Sequence, residues 1–246
     1  MRSILLSALA ALLFQPWGAL AAPKAHDPTL AEAKAHYSKA DRELNDAWAA
    51  VKKALPEAEF NQLRDEQKSW VQSREEIARA QASPDLAENE KALMQSVDYL
   101  EAAASMADMR TRWLRGLQAT LTNNETSLTG EWSDGWGGEI KILQLEHKLH
   151  FSIFVVRGRS SANGELSGHA VWNEPLGWYS DKGLDPNKAD ETNLAFVLRR
   201  GKLELIGANT QEYHGARAYF DGTYVKVAPL DDESKANLKR MGQSGK

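Results

Sequence analysis

The chain has 246 residues, a formal net charge of −4 and no cysteine. Without cysteine it has neither disulfides nor thiolate metal sites, so its cores must be large enough to hold without cross-links. The mild acidity extends over both halves of the chain and argues against nucleic acid as a partner.

The first 22 residues have the pattern of a secretory signal peptide. Arg2 precedes an apolar run from Ile4 to Phe14, and the small-residue stretch Ala19-Leu20-Ala21-Ala22 follows it. An apolar run of this length is too short to span a bilayer, and an Ala-x-Ala end is typical of a cleavage site. We therefore expect cleavage after Ala22 and an exported mature chain, periplasmic or secreted, with no membrane span.

Residues 23–120 are predicted to form a helical domain because their apolar residues recur with a period of 3.6. Asp27 and Pro28 resemble an N-cap and a first-turn proline, and helix one is expected to end near Ala54, before Pro56. Helix two is expected over 57–81. A third helix is expected to begin at Ser83-Pro84-Asp85 and to reach about Leu117. Three long helices with short turns predict an antiparallel bundle.

Polar residues interrupt the apolar face of helix two. The face includes Trp70, but Gln67 and Arg74 occupy positions where apolar residues are expected. If helices one and two fold back around Pro56, Asn45 faces Gln67, and Asp41 lies between Trp70 and Arg74. Such pairing would compensate the burial of a guanidinium. We interpret this cluster as fixing the register of the two helices; the alternative is a functional cluster that faces the surface.

Residues 128–228 are predicted to form an antiparallel β domain, because the apolar period falls to two and glycine becomes frequent. Residues 122–127 are a linker in this prediction, and 229–246 are a polar, frayed tail. The fold class is therefore α+β in two lobes, the second a small barrel or sandwich. The predicted strands are 128–133, 139–145, 148–156, 164–173, 193–199, 202–207 and 218–227.

Two motifs in the helical half are similar to a known family. "YSKADRELNDAWAAVKKAL" and "LRDEQKSWVQSREEI" resemble the N-terminal domain of LprI-type lysozyme inhibitors, a helical domain of exported bacterial proteins, over about residues 30–117. The resemblance implies a periplasmic protein directed at lysozyme. That family carries cysteines near Glu32 and Ala78, so here packing and polar pairs must set the register instead. The resemblance is carried by Ala40, Asp41, Leu44, Asn45, Trp48, Leu63, Gln67, Trp70 and Arg74.

The second half is similar to a small β module of unknown role that accompanies such helical domains. The segments "NGELSGHAVWN" and "YHGARAYFDGTYVKV" carry this likeness. It implies no catalytic or inhibitory residue.

The sequence offers little enzyme chemistry. Glu131, Asp134 and Glu139 lie near two tryptophans and could line a sugar cleft, but a hairpin with packing tryptophans is the favoured interpretation. His147 and His150 would point to opposite faces of a strand and chelate a metal poorly. His169 and His214 could meet across strands, with Asp221 nearby, but a structural role is favoured for these histidines. We therefore predict no catalytic residues, no metal and no cofactor.

The sequence favours a surface that binds a ligand or a partner over an active site or a metal site. The stretch "WNEPLGWY" opens a loop that is predicted to run to Thr192, and loops of that length are uncommon without a function. Trp178, Tyr179 and Asp181, with Trp136, are the candidate contact residues; alternatively, Trp178 covers one end of a barrel. The hypotheses are a non-enzymatic lysozyme inhibitor, a module that binds peptidoglycan carbohydrate, and a structural protein that docks to another exported protein.

Overall fold

The computed structural model describes residues 27–86, 88–122, 126–157, 162–183 and 190–241. The predicted signal peptide, residues 1–22, lies outside them. Within them the chain forms two lobes, helices first and then an antiparallel barrel, which confirms the predicted fold class. In the part of the chain that is described, no helix combines the length and the apolar character needed to cross a membrane.

Two long helices have nearly the predicted bounds. α1 spans Leu30–Ala54 and α2 spans Glu57–Gln81, with Pro56 between them. The N-cap of α1 is Thr29 and not Asp27, because Thr29 and Glu32 form a reciprocal capping box. The Thr29 hydroxyl accepts a hydrogen bond from the backbone of Glu32, and the Glu32 carboxylate accepts one from Thr29 N at 2.7 Å.

The third helix is interrupted, so the prediction of one helix starting at Ser83 was wrong. A single 3₁₀ turn, Pro84–Leu86, is followed by the short helix α3, Glu90–Leu93, and by the long helix α4, Val97–Thr120. Asn89 and Ser96 each accept a hydrogen bond from a backbone N–H three residues later. Two cap residues within one short segment start two separate helices.

α4 packs against both α1 and α2 and completes the bundle. The apolar face of α1 is buried as its spacing predicted, at Ala33, Ala40, Leu44, Ala47 and Val51. His36 links α1 to α4: its Nδ1 lies 2.8 Å from Glu101 Oε2 and its Nε2 3.0 Å from Asp108 Oδ2. The hydrogen bonds to Asp108 and Glu101 raise the pKa of His36.

Eight strands form a closed barrel in which every strand pairs antiparallel with its sequence neighbours and β1 pairs with β8. The barrel interior is apolar, with Phe151, Phe196 and Tyr224 fully buried. The alternation that predicted seven of these strands therefore separates a packed interior from an outer face. The strands are β1 Gly130–Ser133, β2 Gly138–Leu145, β3 Lys148–Arg157, β4 Ala162–Asn173, β5 Leu176–Ser180, β6 Asn193–Arg199, β7 Lys202–Ala208 and β8 Gly222–Ala228.

Two elements differ from the prediction. β5 lies inside the segment that was predicted to be a long loop, and it pairs with β4 and β6. The tail was predicted to be frayed, but Asp232–Met241 form helix α5. Leu230 and Leu238 pack on Leu143 of β2, and these apolar contacts hold α5 against the outside of the barrel.

The two lobes are in direct contact through α4 and β8. Val225 of β8 belongs to the buried core of the bundle. Gly116 of α4 allows the close approach, since a Cβ atom at this position would lie 2.5 Å from the Lys226 carbonyl oxygen.

Candidate functional site

The structure brings Arg74 and Asp41 together. Arg74 Nη1 lies 3.4 Å from Asp41 Oδ1, and the guanidinium carbon lies 5.5 Å from the centre of the Trp70 ring. The Arg74 side chain is 12% exposed, whereas that of Asp41 is 42% exposed. Asp41 also accepts a hydrogen bond from Asn45 Nδ2 at 3.2 Å. The partial exposure of Asp41 makes this a solvent-screened contact, and its role in helix register stays an interpretation.

Gln67 is hydrogen-bonded to α4, a contact that the predicted cluster did not include. Its Oε1 accepts a hydrogen bond from Arg110 Nε of α4 at 2.9 Å. Arg110 Nη2 donates to Glu66 Oε1, also at 2.9 Å. Arg110 is 0% exposed, so the buried guanidinium of the helical lobe is this residue rather than Arg74.

Three tryptophan rings surround Arg110. The guanidinium carbon lies 4.0 Å from the ring centre of Trp113, 5.6 Å from Trp70 and 5.9 Å from Trp136. Cation–π contacts of this kind strengthen when water is excluded. Burial lowers the pKa of Arg110, and the charge and hydrogen bond of Glu66 act in the opposite direction.

Trp136 joins the two lobes. It lies in the turn between β1 and β2, and its Nε1 donates to Glu66 Oε1 at 3.1 Å. Asp134 organises this turn by accepting hydrogen bonds from Trp136 N and Gly138 N, both at 2.8 Å. The same carboxylate accepts from Arg157 Nη2 at 2.5 Å. The turn of the barrel therefore covers the arginine of the bundle.

The other candidate contact residues separate on β5, because side chains alternate along a strand. Trp178 points outward and is 40% exposed. Tyr179 points inward, where its ring packs edge-on against Phe151 at 5.1 Å, and burial raises its pKa. Asp181 accepts hydrogen bonds from Thr192 N and Tyr213 Oη, so it stabilises the loop. Of these three residues, only Trp178 remains a surface candidate.

Trp178 lies in a row of apolar side chains across four neighbouring strands. The register pairs Val171 with Trp178, Trp178 with Ala195, and Ala195 with Ile206. We call these four residues the outer apolar row. Val171 is 58% exposed and Ile206 49%. α4 covers β8 and α5 covers β2 and β3, so the outer apolar row lies where neither helix packs.

The carboxylates that suggested a hydrolase cleft are each bound to a cation of their own. Glu131 pairs with Lys141 at 3.3 Å, and Glu139 pairs with Arg112 at 3.3 Å. Asp134 is bound to Arg157, as described above. These ion pairs favour the structural interpretation of the β1–β2 hairpin.

The histidines pair differently from the prediction. His169 lies beside His150 on the neighbouring strand, with ring centres 5.6 Å apart, and burial lowers the pKa of His150. His214 instead contacts Thr210 Oγ1 through Nε2 at 2.9 Å. Within the described ranges, no group of three or more His, Asp or Glu side chains is arranged to hold a metal ion.

Comparison with known proteins places the family likeness on the helices. A family model described as lysozyme inhibitor LprI matches residues 21–117, which confirms the resemblance predicted from the helix motifs. A polypeptide N-acetylgalactosaminyltransferase 5 of Caenorhabditis elegans is 33% identical over 98 residues, 37% of this chain. The chain spans only 14% of the length of that relative. No solved structure matched the chain.

Proposed function

We propose that the protein is an exported, non-enzymatic binding protein that inhibits lysozyme through the outer apolar row. The observation that carries the proposal is the exposed line of Val171, Trp178 and Ile206 on the outside of the barrel. The match of residues 21–117 to a lysozyme-inhibitor family supports the choice of lysozyme as the target. Contiguous exposed apolar side chains are typical of protein contact sites.

The shape of this surface suits a concave partner. The outside of a closed barrel is convex, and Trp178 projects from the middle of the row. A tryptophan buried at the centre of an interface is a frequent hot spot and contributes about 2 kcal/mol or more. A convex apolar surface with a central tryptophan can therefore occlude the substrate cleft of an enzyme.

The test mixes the mature chain with lysozyme and follows the lysis of a cell-wall suspension. We expect slower lysis at micromolar excess and a complex on gel filtration. Trp178→Ala should weaken inhibition about 30-fold, the equivalent of about 2 kcal/mol. Phe154→Ala is the matched control, because Phe154 of β3 is 39% exposed but lies outside the row.

The possible outcomes separate the target from the surface. Unchanged lysis and no complex would show that lysozyme is not the target. Inhibition that Trp178→Ala leaves intact would show that lysozyme is the target but that another surface binds it.

A second candidate is binding of cell-wall carbohydrate on the same face. The exposed indole of Trp178 favours it, because a sugar ring can stack on an accessible aromatic side chain. In that case the wild-type protein would leave lysozyme activity unchanged. Trp178→Ala would bind peptidoglycan less strongly than the wild-type protein does.

A further inference from the structure

We propose that the turn Gly135-Trp136-Gly137 covers a binding site for a small carboxylate, formed by Arg110, Trp113 and Arg157. This site is separate from the outer apolar row and does not depend on lysozyme binding.

The site contains more hydrogen-bond donors than acceptors. Among the described residues, Arg110 Nη1, Trp113 Nε1 and Arg157 Nη1 are buried without a hydrogen-bond partner. The charges themselves balance, because Glu66 pairs with Arg110 and Asp134 pairs with Arg157. The surplus is therefore one of N–H groups, which are unfavourable to bury without an acceptor.

The side chains that carry these donors lie around one short turn. A Cβ atom on Gly135 would lie 2.7 Å from Arg110 Nη1 and 2.8 Å from ring carbons of Trp113. A Cβ atom on Gly137 would lie 4.0 Å from Arg157 Nη1. The two arginines thus lie at opposite ends of the same short turn, and the absence of a Cβ atom at Gly135 makes the close approach of Arg110 possible.

Trp136 is the cover of this site. Its side chain is 37% exposed, although the guanidinium beneath it is fully buried. Gly135 and Gly137 have φ angles of +75° and +97°, values that glycine adopts readily, so the turn places Trp136 over Arg110 without backbone strain at these two positions. The hydrogen bond from Trp136 to Glu66 is the one side-chain hydrogen bond found for the indole in the described part of the chain.

The chemistry of the site selects the ligand. Two guanidinium groups and an indole N–H offer donors only, which suits the acceptor oxygens of a carboxylate. The rings of Trp70, Trp113 and Trp136 add apolar surface beside that carboxylate. A carboxylate attached to a compact ring, as in an acidic sugar, fits both features.

The experiment is a titration of the mature chain with each ligand, in which binding is measured by calorimetry and by tryptophan fluorescence. The ligands are acetate, N-acetylmuramic acid and N-acetylglucosamine, the last of which lacks the carboxylate. We expect the two acids to bind and N-acetylglucosamine to bind at least tenfold more weakly than N-acetylmuramic acid. Equal affinity for the two sugars, or no binding of either acid, would overturn the proposal.

Two variants assign the site. Arg157→Gln should weaken binding of N-acetylmuramic acid at least tenfold, whereas Arg112→Gln, a change at an exposed arginine paired with Glu139, should not. Trp136→Ala uncovers Arg110, so acetate should bind severalfold more tightly. This second variant keeps the test decisive if Arg157→Gln does not fold, because unchanged acetate affinity would contradict the covering role of Trp136.

Discussion

Gly116→Ala tests the close packing of the two lobes, because steric overlap between the lobes and the higher helix propensity of alanine change stability in opposite directions. In an open helix this change stabilises a protein by about 1 kcal/mol, because alanine is the better helix former. Here the added Cβ would lie 2.5 Å from the Lys226 carbonyl oxygen and 3.1 Å from Val225 Cγ2. The lobes would have to separate by about 0.9 Å to reach an ordinary contact of about 3.4 Å.

Backbone atoms cannot rotate out of the way as a flexible side chain can. Overpacking of this kind lowers the free energy of unfolding by about 1–3 kcal/mol, and the helix preference of alanine offsets about 1 kcal/mol of this loss. We therefore expect a net destabilisation of about 1 kcal/mol, or about 2–4 °C in Tm for a protein of this size.

The assay is thermal unfolding of Gly116→Ala beside a control on the same helix. Ser105→Ala is suitable, because Ser105 is an exposed residue of α4 and should show the helix preference alone. A Tm that rises in Gly116→Ala as it does in the control would refute the close approach of α4 to β8.

Two further predictions concern charged groups in the helical lobe. The raised pKa of His36 means that its stabilisation is complete below about pH 6.5, its ordinary value, and is lost as pH rises through the folded pKa. His36→Ala should therefore remove a fall in Tm on the alkaline side of that value, and an identical pH profile in the variant would contradict the link to Glu101 and Asp108. Asp41→Ala should cost at most about 1 kcal/mol, because its ion pair with Arg74 is open to solvent. Arg110→Ala should cost about 3 kcal/mol in urea unfolding, because it removes a buried side chain and leaves Gln67 without its partner. Equal losses in the two variants would show that burial does not set the difference.

The helical lobe could be predicted in large part because its apolar residues keep a strict period. Arg110 was missed although the same signal was present. Ala103, Ala107, Leu114 and Leu117 are buried at 4-, 7- and 3-residue steps, and Arg110 fills the gap in the middle. A polar residue inside an apolar stripe had pointed to Gln67, and the same rule applied to α4 would have identified its partner.

β5 could not be predicted because most of its large apolar side chains point to solvent and not into the barrel. Leu176 and Trp178 point to solvent, and the inward residue between them is Gly177. Periodicity detects a strand by its buried face, which here includes a glycine without a side chain. The outer apolar row was invisible for a related reason, since its members come from four separate strands and meet only through the register.

α5 was missed because so few of its residues are apolar. Leu238 is its principal buried apolar contact, and Leu230, which precedes the helix, provides another. Two leucines in a polar segment do not make a pattern, and only the position of Leu143 on the barrel gives them a partner.

Closure of the barrel has a consequence for recognition. A sheet that joins its first strand to its last has no terminal strand, which reduces the number of unpaired backbone N–H and C=O groups to which another chain could add itself as an extra strand. Attachment to the outer apolar row therefore depends on side-chain identity, which makes it sensitive to single substitutions. The same closure disfavours edge-to-edge aggregation of the barrel. The apolar side chains on its outer face remain available for a specific contact.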